Sequence, residues 1–287
     1  MRSTAIISAI ATLLLLFPGC GEQQTPQTPV DGPRLAVLSP AMTVILRDLG
    51  ELEHVVGRHG FDLILQDAVP AVGNETGLDY EALLDVQPTH VVLQQNAREP
   101  PQRLQDLAAA QGWEVVTIPL LQLDDIPRAT LRLSALVGGD EQSARALVEE
   151  MSRAFRVRPA LQARLGRTLA LASTDPIGAL GPGSFHWEML ASMGATPIPE
   201  EGSPYIRLGL EDVLELDPDA LVIFAPGSDQ EVLGALAHLD LRAEQRVLVI
   251  RDPLAHTPST ALIAIADQIA ETAAGWSAID TPGESGQ

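Results

Sequence analysis

Short apolar runs rich in β-branched residues alternate along the first half of the chain with segments of helical spacing. Four of these runs are typical of strands: Arg34–Ser39, His54–Arg58, His90–Gln94 and Trp113–Pro119. Helical spacing follows Pro40 as far as a glycine stop at Gly50, and it returns over Pro101–Gln111. Strands that alternate with helices predict a parallel sheet with helices on its faces.

The same alternation restarts after residue 166. Its strand-like runs are Arg167–Ser173, Ala220–Pro226 and Arg246–Pro253. A glycine–proline turn opens a predicted helix within Gly181–Gly194, and Ser259–Trp276 has the spacing of a closing helix. The second half therefore predicts a second α/β unit of the same kind.

One long amphipathic helix is predicted between the two halves. Asp140 is a suitable N-cap after two glycines, and one apolar stripe continues from there to Val157. Such a helix would be roughly 30 Å long, and Pro159 should kink or end it. The pattern thus predicts an α/β protein of two Rossmann-like lobes with parallel sheets, joined by one long rigid interdomain helix.

One stretch of sequence occurs twice. LDYEALLDVQPTHVVL spans Leu78–Leu93, and LGLEDVLELDPDALVI spans Leu208–Ile223. Leucine, glutamate and proline recur in register, at Leu78 and Leu208, Glu81 and Glu211, and Pro88 and Pro218. Each copy predicts a short helix, a proline break and a strand. Two matched copies indicate two lobes built on one plan.

Length and charge narrow the classes of function. The 287 residues suit about two domains, and an apolar fraction of 46% is enough for two cores. A net charge of −20 disfavours nucleic acids and anionic membrane surfaces as partners, because both attract basic patches. The net charge does not indicate which small ligand binds, because that depends on the local charge of the cleft.

The N-terminal segment MRSTAIISAIATLLLLFPGC is typical of a secretory signal peptide. It has one arginine and an apolar core that is short for a membrane span. Cys20 is the only cysteine, so no disulfide framework is possible. A thiol directly after such a core resembles a bacterial lipobox, in which the cysteine is lipidated, although Phe17-Pro18 departs from that pattern. A plain secretory signal and an uncleaved anchor are the alternatives.

A polar, proline-rich stretch follows Cys20 and predicts a flexible tether as far as Pro33. The predicted segments are a signal peptide with lipobox at 1–20, a tether at 21–33, an N-terminal lobe at 34–138, the interdomain helix at 139–165, a C-terminal lobe at 166–276 and a loose tail at 277–287.

The layout resembles the class III periplasmic solute-binding proteins of ABC importers, the receptors for iron–siderophore complexes, haem and cobalamin. Three segments carry the resemblance: RLAVLSPAMTVILRDLG (34–50), the repeat Leu78–Leu93, and GPGSFHWEMLASMGA (181–195). The resemblance implies two lobes joined by a rigid helix, with the ligand in the cleft between them. It also implies a glutamate on each lobe that docks onto arginines of the membrane permease, here Glu81 and Glu211. The alternative is that the helix dipole alone favours an acid in the first turn.

The implied function is the substrate-binding component of an ABC importer. Such a protein captures an iron complex (haem or a siderophore) or cobalamin and delivers it to a permease with its ATPase. We expect a monomer with no catalytic activity and no cofactor of its own. It would lie in the periplasm or at the cell surface, held to the membrane only by a lipid on Cys20. The alternative is a lipoprotein of the same fold that acts as a bare metal-ion receptor or as a sensor without transport.

Ligand contacts are expected in loops at the strand ends that face the other lobe. The candidates are Ser39, Pro40, His59, Asn74, Gln95, Ser184, Phe185, His186, Trp187 and His256. The three loop histidines suit haem iron or a bare transition metal, and Tyr205 is a further oxygen donor. Phe185 and Trp187 could stack on a flat macrocycle. The alternatives are polar surface for the histidines and helix-face packing for the two aromatic residues.

The remaining sequence features argue against several kinds of metal, ligand and catalytic site. His90 is expected in the core, and His54 and His238 on the surface. No HExxH motif or cysteine cluster is present, so metal ligands stay unassigned. The cleft loops lack the arginine cluster that an anionic catecholate needs, and an aromatic content of 3% disfavours a cobalamin cage. In GPGSFHW, Ser184 and His186 are too close in sequence to form a triad alone, and the stretch is not GxSxG.

Overall fold

The computed structural model describes residues 32–74, 76–95, 99–226, 232–234, 236 and 246–279. Within this part of the chain, two six-stranded sheets form the centres of two successive α/β lobes. The predicted signal peptide, Cys20, most of the tether and His238 lie outside the described residues. None of the described helices has the length and apolarity that a membrane span requires.

The first lobe is a sheet with the strand order β4-β3-β2-β1-β5-β6. Its strands are β1 (Leu35–Leu38), β2 (Val55–His59), β3 (Ala71–Asn74), β4 (Gly77–Leu78), β5 (His90–Gln94) and β6 (Glu114–Ile118). Its helices are α1 (Pro40–Leu49), α2 (Tyr80–Val86), α3 (Gln102–Gln111) and α4 (Asp125–Val137), with 3₁₀ turns at Leu52–His54 and Gln66–Ala68. All strand pairs are parallel except β3 with β4.

The second lobe has the strand order β10-β8-β7-β11-β12, and β9 also pairs with β7. Its strands are β7 (Arg167–Thr174), β8 (Ile177–Leu180), β9 (Thr196–Ile198), β10 (Tyr205–Arg207), β11 (Ala220–Phe224) and β12 (Val247–Ile250). Its helices are α7 (Phe185–Met193), α8 (Leu210–Leu216) and α9 (Leu262–Ala274). The pairs of β8 with β7 and with β10 are antiparallel.

Central strands of both sheets are buried on both faces, which explains their unbroken apolar sequences. All five residues of β11 are buried, and so are three of the four in β1. Both lobes are therefore α/β units with mainly parallel sheets, as predicted. Sequence analysis missed α4 and five strands, β3, β4, β8, β9 and β10. These strands have two to four residues each, too few to show a period of two.

The segment between the lobes differs from the single helix predicted. Helix α5 (Glu141–Ala154) begins after Asp140, whose side chain accepts hydrogen bonds from the amides of Gln142 and Ser143. It ends at Ala154, three residues before the predicted end, and α6 (Pro159–Leu165) is a separate helix. Proline suits the first turn of a helix, where its missing N–H leaves no hydrogen bond unmade.

One hydrophobic cluster joins the two lobes. It includes Leu35 and Leu133 from the first lobe, Met151 from α5, and Phe224 and Ile265 from the second lobe. Helix α5 contacts α1 and α4 on one side and α9 on the other. Two smaller clusters lie on the other faces of the sheets, under α2 and under α8. The two lobes thus share one hydrophobic cluster, and each lobe also has a smaller cluster made only of its own residues.

Candidate ligand cleft and docking faces

The first turn of α7 lies where the two lobes meet. Oε2 of Glu188 accepts a hydrogen bond of 2.7 Å from the backbone N–H of Leu123, in the loop after β6 of the first lobe. The ring nitrogen Nε2 of His186 lies 2.8 Å from the carbonyl oxygen of Ala255, in the loop after β12. Both loops follow the carboxyl ends of parallel strands, where ligands bind in open α/β sheets. The geometry therefore defines a candidate cleft between these loops.

Ser39 is buried at the carboxyl end of β1, and its hydroxyl is already engaged. Oγ of Ser39 donates to Oε1 of Gln94 at 3.1 Å, and Nε2 of Gln94 donates to the carbonyl of Leu120 at 2.7 Å. Pro40 opens α1 directly after Ser39, and Gln95 is exposed just after β5. These residues join the ends of three neighbouring strands at the base of the cleft.

His59 ends β2 and is buried, with Nδ1 accepting a hydrogen bond of 3.2 Å from the backbone N–H of Phe61. Its ring lies 5.9 Å from that of Phe61, centroid to centroid. Asn74 ends β3 and is exposed. Its Oδ1 accepts from the N–H and from the hydroxyl of Thr76, which forms an Asx turn.

Three exposed apolar side chains at this edge were missed by sequence analysis. Phe61 and Leu63 follow β2, Leu121 follows β6, and their exposed fractions are 63%, 49% and 59%. The sequence signal that could have found them is an apolar residue in a loop directly after a strand, outside any periodic element. Exposed apolar groups beside a cleft suit a ligand with an apolar surface.

His186 is buried among rings of the second lobe. Its ring centroid lies 3.9 Å from that of Phe185, 4.5 Å from that of Phe224 and 5.2 Å from that of His256. Burial lowers the pKa of His186 to about 3, so the imidazole is neutral at physiological pH. Nδ1 is buried and makes no hydrogen bond within the described structure.

His256 occupies the outer side of the same ring cluster. The residue is exposed, while its Nε2 lies 3.1 Å from the carbonyl oxygen of Phe224. Partial burial of the ring lowers the pKa of His256, which also favours the neutral imidazole. If Nε2 carries the proton and donates it to that carbonyl, Nδ1 keeps a lone pair. Metal-ligating histidines usually donate their other ring N–H to a carbonyl or carboxylate in this way.

The structure brings two of the three predicted loop histidines together. His186 and His256 are neighbours in the second lobe, whereas the ring contact of His59 is with Phe61 in the first lobe. The neighbouring candidates Ser184 and Trp187 contact their own lobe. Oγ of Ser184 caps α7 by accepting from the N–H of Trp187 and donates to Gly181, and Nε1 of Trp187 donates to the carbonyl of Pro199.

The prediction that His54 lies on the surface is wrong. His54 is buried at the amino end of β2, and its Nδ1 lies 2.9 Å from the carbonyl oxygen of Pro33. In the part of the chain that the structure describes, His54 forms the one grouping of three metal-type side chains, with Glu51 and Glu53. This group lies at the amino-terminal end of β2, whereas the candidate cleft lies at the carboxyl ends of the strands.

The duplicated sequence forms the same structure in both lobes. Glu81 and Glu211 are exposed in the first turns of α2 and α8, each a helix of seven residues. Both helices end at a non-glycine residue with positive φ, Gln87 at 45° and Asp217 at 41°. A proline and then a central strand, β5 or β11, follow in each copy.

An arginine clamps each copy to the start of its lobe. The backbone N–H of Arg34 donates to Oγ1 of Thr89 at 2.8 Å, and its Nη2 donates to the carbonyl of Val86 at 2.7 Å. The backbone N–H of Arg167 donates to Oδ2 of Asp219 at 2.9 Å, and its Nη2 donates to the carbonyl of Leu216 at 2.8 Å. The two lobes therefore present their acidic helices in the same local setting.

An open groove of about 550 Å³ lies beside Glu81. Its wall includes Asn74 at the end of β3 and Arg103 of α3. The guanidinium carbon of Arg103 lies 4.1 Å from the centre of the Tyr80 ring. The surroundings of Glu81 thus include a positive charge held in place by an aromatic ring.

Residues 35–237 match the model of one protein family, described as periplasmic binding protein. The chain belongs to this family. The match begins with β1 and extends into the second lobe past β11, so it includes both copies of the repeat but not β12 or α9. No curated protein sequence matches the chain.

Solved structures of periplasmic binding proteins have the same fold. The vitamin B12 binding protein BtuF of Vibrio cholerae has a TM-score of 0.65 and 19% identity, covering 85% of this chain and 98% of its own. A haem-binding protein of Pseudomonas aeruginosa has a TM-score of 0.68 and 20% identity, covering 88% and 96%. A protein of an Fe³⁺-hydroxamate transport system from Saccharomonospora viridis has a TM-score of 0.59 and 23% identity, covering 85% and 94%. At these identities the likeness describes the fold and not the ligand.

Proposed function

We propose that the chain is the substrate-binding component of an ABC importer and that its ligand is haem. The observation that carries the choice of haem is the geometry at His256. An exposed, neutral imidazole beside the candidate cleft directs one ring nitrogen to a backbone carbonyl, which leaves the other available as an axial iron ligand. A siderophore that already fills every coordination position of its iron leaves none for a histidine nitrogen.

The apolar side chains at the edge of the cleft support the same ligand. Phe61, Leu63 and Leu121 are exposed in the first lobe, and Phe185 is half-buried against the ring cluster of the second. A porphyrin has two broad apolar faces. Burial of apolar surface contributes about 25 cal/mol per Å², so exposed side chains that close on such faces add affinity without specific polar contacts.

The partners follow from the same proposal. Glu81 and Glu211 would bind arginines of a membrane permease, one on each lobe, because carboxylate and guanidinium form paired, charge-assisted hydrogen bonds. Export through the signal peptide and a lipid on Cys20 would keep the chain beside that permease. The function is capture and delivery rather than catalysis. In support, the hydroxyl of Ser184 is bound to the backbone, and Nε2 of His186 lies at a carbonyl oxygen.

Haem titration of the purified chain, followed by absorbance, tests the ligand. We expect saturable one-to-one binding with the spectrum of histidine-ligated haem. His256→Ala should weaken binding about tenfold or more and change the spectrum, because about 1.4 kcal/mol of lost ligand interaction corresponds to a factor of ten. His90→Ala is the matched control, since His90 lies at the amino end of β5, away from the cleft.

Two outcomes would reject haem as the ligand. One is a haem spectrum and affinity that His256→Ala leaves unchanged. The other is absence of haem binding together with saturable quenching of tryptophan fluorescence by cobalamin or a ferric hydroxamate. The second outcome would leave the importer component in place with another cargo.

A further inference from the structure

We propose that Leu84 and Leu214 are apolar contacts of the docking faces, so that each lobe presents one acidic and one apolar group to the permease. This inference rests on the proposed function, because it names the chemistry of the surface that the importer would recognise. The partner that fits is a membrane protein with two equivalent halves, each offering a cationic side chain beside an apolar patch.

The exposure of the two leucines is the first support. Leu84 is 40% exposed on α2 and Leu214 is 46% exposed on α8, whereas their neighbours Leu83 and Val213 are fully buried. A single exposed leucine is ordinary on a soluble protein. Two at the same position of two helices are not explained by the packing of either lobe, because α2 and α8 already contribute Leu83 and Val213 to the hydrophobic cluster beneath them.

The spacing from the acidic residue is the second support. Leu84 lies three residues after Glu81, and Leu214 lies three residues after Glu211, in helices that span both positions. Side chains at i and i+3 share one face of a helix and lie about 5–6 Å apart at their β-carbons. Each docking face is therefore a neighbouring pair of a carboxylate and an isobutyl group.

The rigidity of both pairs is the third support. Arg34 and Arg167 donate to the last carbonyls of α2 and α8. Arg34 directly precedes β1, and Arg167 is the first residue of β7, so each arginine ties its helix to the first strand of its lobe. The left-handed residue and the proline after each helix then lead directly into a central strand. An interface residue that is already held in place loses less entropy when it binds.

The chemistry of the pair identifies its counterpart. A carboxylate next to an apolar group suits a guanidinium whose flank packs on aliphatic surface, and contacts of that kind are typical of the residues that dominate binding energy. Two equal faces on one chain require two equal sockets, which a two-fold symmetric membrane dimer provides. The faces differ on their other side, where Tyr80 and Arg103 border Glu81 and the exposed Leu210 borders Glu211.

Binding of the purified chain to its permease–ATPase complex in lipid nanodiscs tests the proposal. We expect Leu84→Gln and Leu214→Gln each to weaken binding about fivefold or more, the loss that marks an energetically important interface residue. The double variant should weaken it by about the product of the two, since the sites are on separate lobes. Leu131→Gln on α4 is the matched control, because Leu131 is similarly exposed, at 38%. It should bind like wild type, and all four variants should keep wild-type affinity for haem.

The outcomes separate this inference from the proposed function. If the leucine variants bind normally while Glu81→Gln with Glu211→Gln abolishes binding, the docking faces are acidic only and the inference is wrong. If one leucine matters and the other does not, the two faces are not equivalent, and the inference is again wrong. If the wild-type chain itself fails to bind the complex, the importer function is rejected and the inference with it.

Discussion

At the scale of single residues, the pair His186 and His256 shows how burial selects a protonation state. His186 has a pKa of about 3 because its imidazole is buried among Phe185, Phe224 and His256. Burial disfavours the charged form of a base, so folding keeps the ring neutral. His256 lies on the solvent side of the same cluster, and its pKa is lowered in the same direction. One ring thus fills the core while its neighbour remains exposed to solvent.

The stability of the chain should therefore fall as the pH falls below 6.5. In the unfolded chain an imidazole takes up a proton near pH 6.5, whereas His186 in the folded chain stays neutral down to about pH 3. Unfolding takes up that proton between the two values, so the free energy of unfolding decreases by up to roughly 1.4 kcal/mol per pH unit in this window and is flat above it. His256 adds a smaller contribution of the same sign, because its exposed ring is screened by solvent.

Urea unfolding of wild type and His186→Gln at pH 7.5 and pH 4.5 measures this contribution. Gln keeps an N–H donor and does not titrate, so the stability advantage of wild type should shrink by about 2–3 kcal/mol on going to pH 4.5. Ile269→Val is the control, since it removes a buried methyl group at about 0.5–1.5 kcal/mol without changing a titrating group. An advantage that is equal at both pH values would show that His186 does not stay neutral in the folded chain.

At the scale of elements, α5 connects the two lobes through packing rather than through length. It is shorter than predicted, yet it contacts α1 and α4 of the first lobe and α9 of the second. Its buried residues are Ala144, Met151 and Ala154, and small residues at two of these positions allow the helices to approach closely. The stiffness expected of one long helix is supplied instead by a shared cluster of side chains.

Met151→Ala should reduce the stability of both lobes together. Met151 is fully buried in the cluster that joins the lobes, and removing such a side chain leaves a cavity that costs about 2–5 kcal/mol. Unfolding in urea, followed by tryptophan fluorescence and by far-UV circular dichroism, should remain one transition at a lower midpoint. Glu150→Ala, on the exposed side of α5, should change the free energy of unfolding by no more than about 0.5 kcal/mol.

Separate transitions for the two signals in Met151→Ala would contradict this view. They would mean that each lobe unfolds alone and that the private clusters under α2 and α8 are sufficient for stability.

At the scale of the whole molecule, hydrogen bonds also link the lobes directly. The backbone N–H of Leu123 donates to Glu188, and the hydroxyl of Thr260 donates to Asp48 at 2.5 Å. Arg158, in the segment between the lobes, pairs with Asp267 of α9 in the second lobe at 3.2 Å. Together with the shared core layer, these contacts oppose a wide hinge motion. We therefore expect small lobe movements when the ligand binds.

Glu188→Ala should loosen the contact beside the cleft in a way that hydrogen exchange detects. The amide of Leu123 should exchange faster, because its acceptor is the carboxylate of Glu188. The amides of Leu121 and Gln122 provide an internal control, since both donate to Oδ2 of Asp125 at 2.9 Å and should stay protected. Unchanged exchange at Leu123 would mean that its protection comes from burial of the loop and not from the contact between the lobes.

Much of the architecture was predictable from the sequence by itself. Apolar runs such as Arg34–Ser39 and Ala220–Pro226 mark strands buried on both faces, and their alternation with helical spacing determines the α/β class. The duplicated stretch predicted two lobes on one plan, and Asp140 and Pro159 predicted the start of α5 and a break after it. These features depend on neighbours within a few residues, which is the range over which periodicity and capping act.

Only the tertiary structure decided which candidate side chains are buried and which are exposed beside the candidate cleft. His54 and His256 each lie at or near one end of a predicted strand, yet His54 is buried with its ring near Pro33 and His256 is exposed with its ring near Phe224. The short antiparallel strands and the exposed leucines on α2 and α8 were equally invisible, since they depend on pairing and packing with distant segments. Burial and hydrogen-bond partners are set by residues far away in the chain, and no local pattern records them.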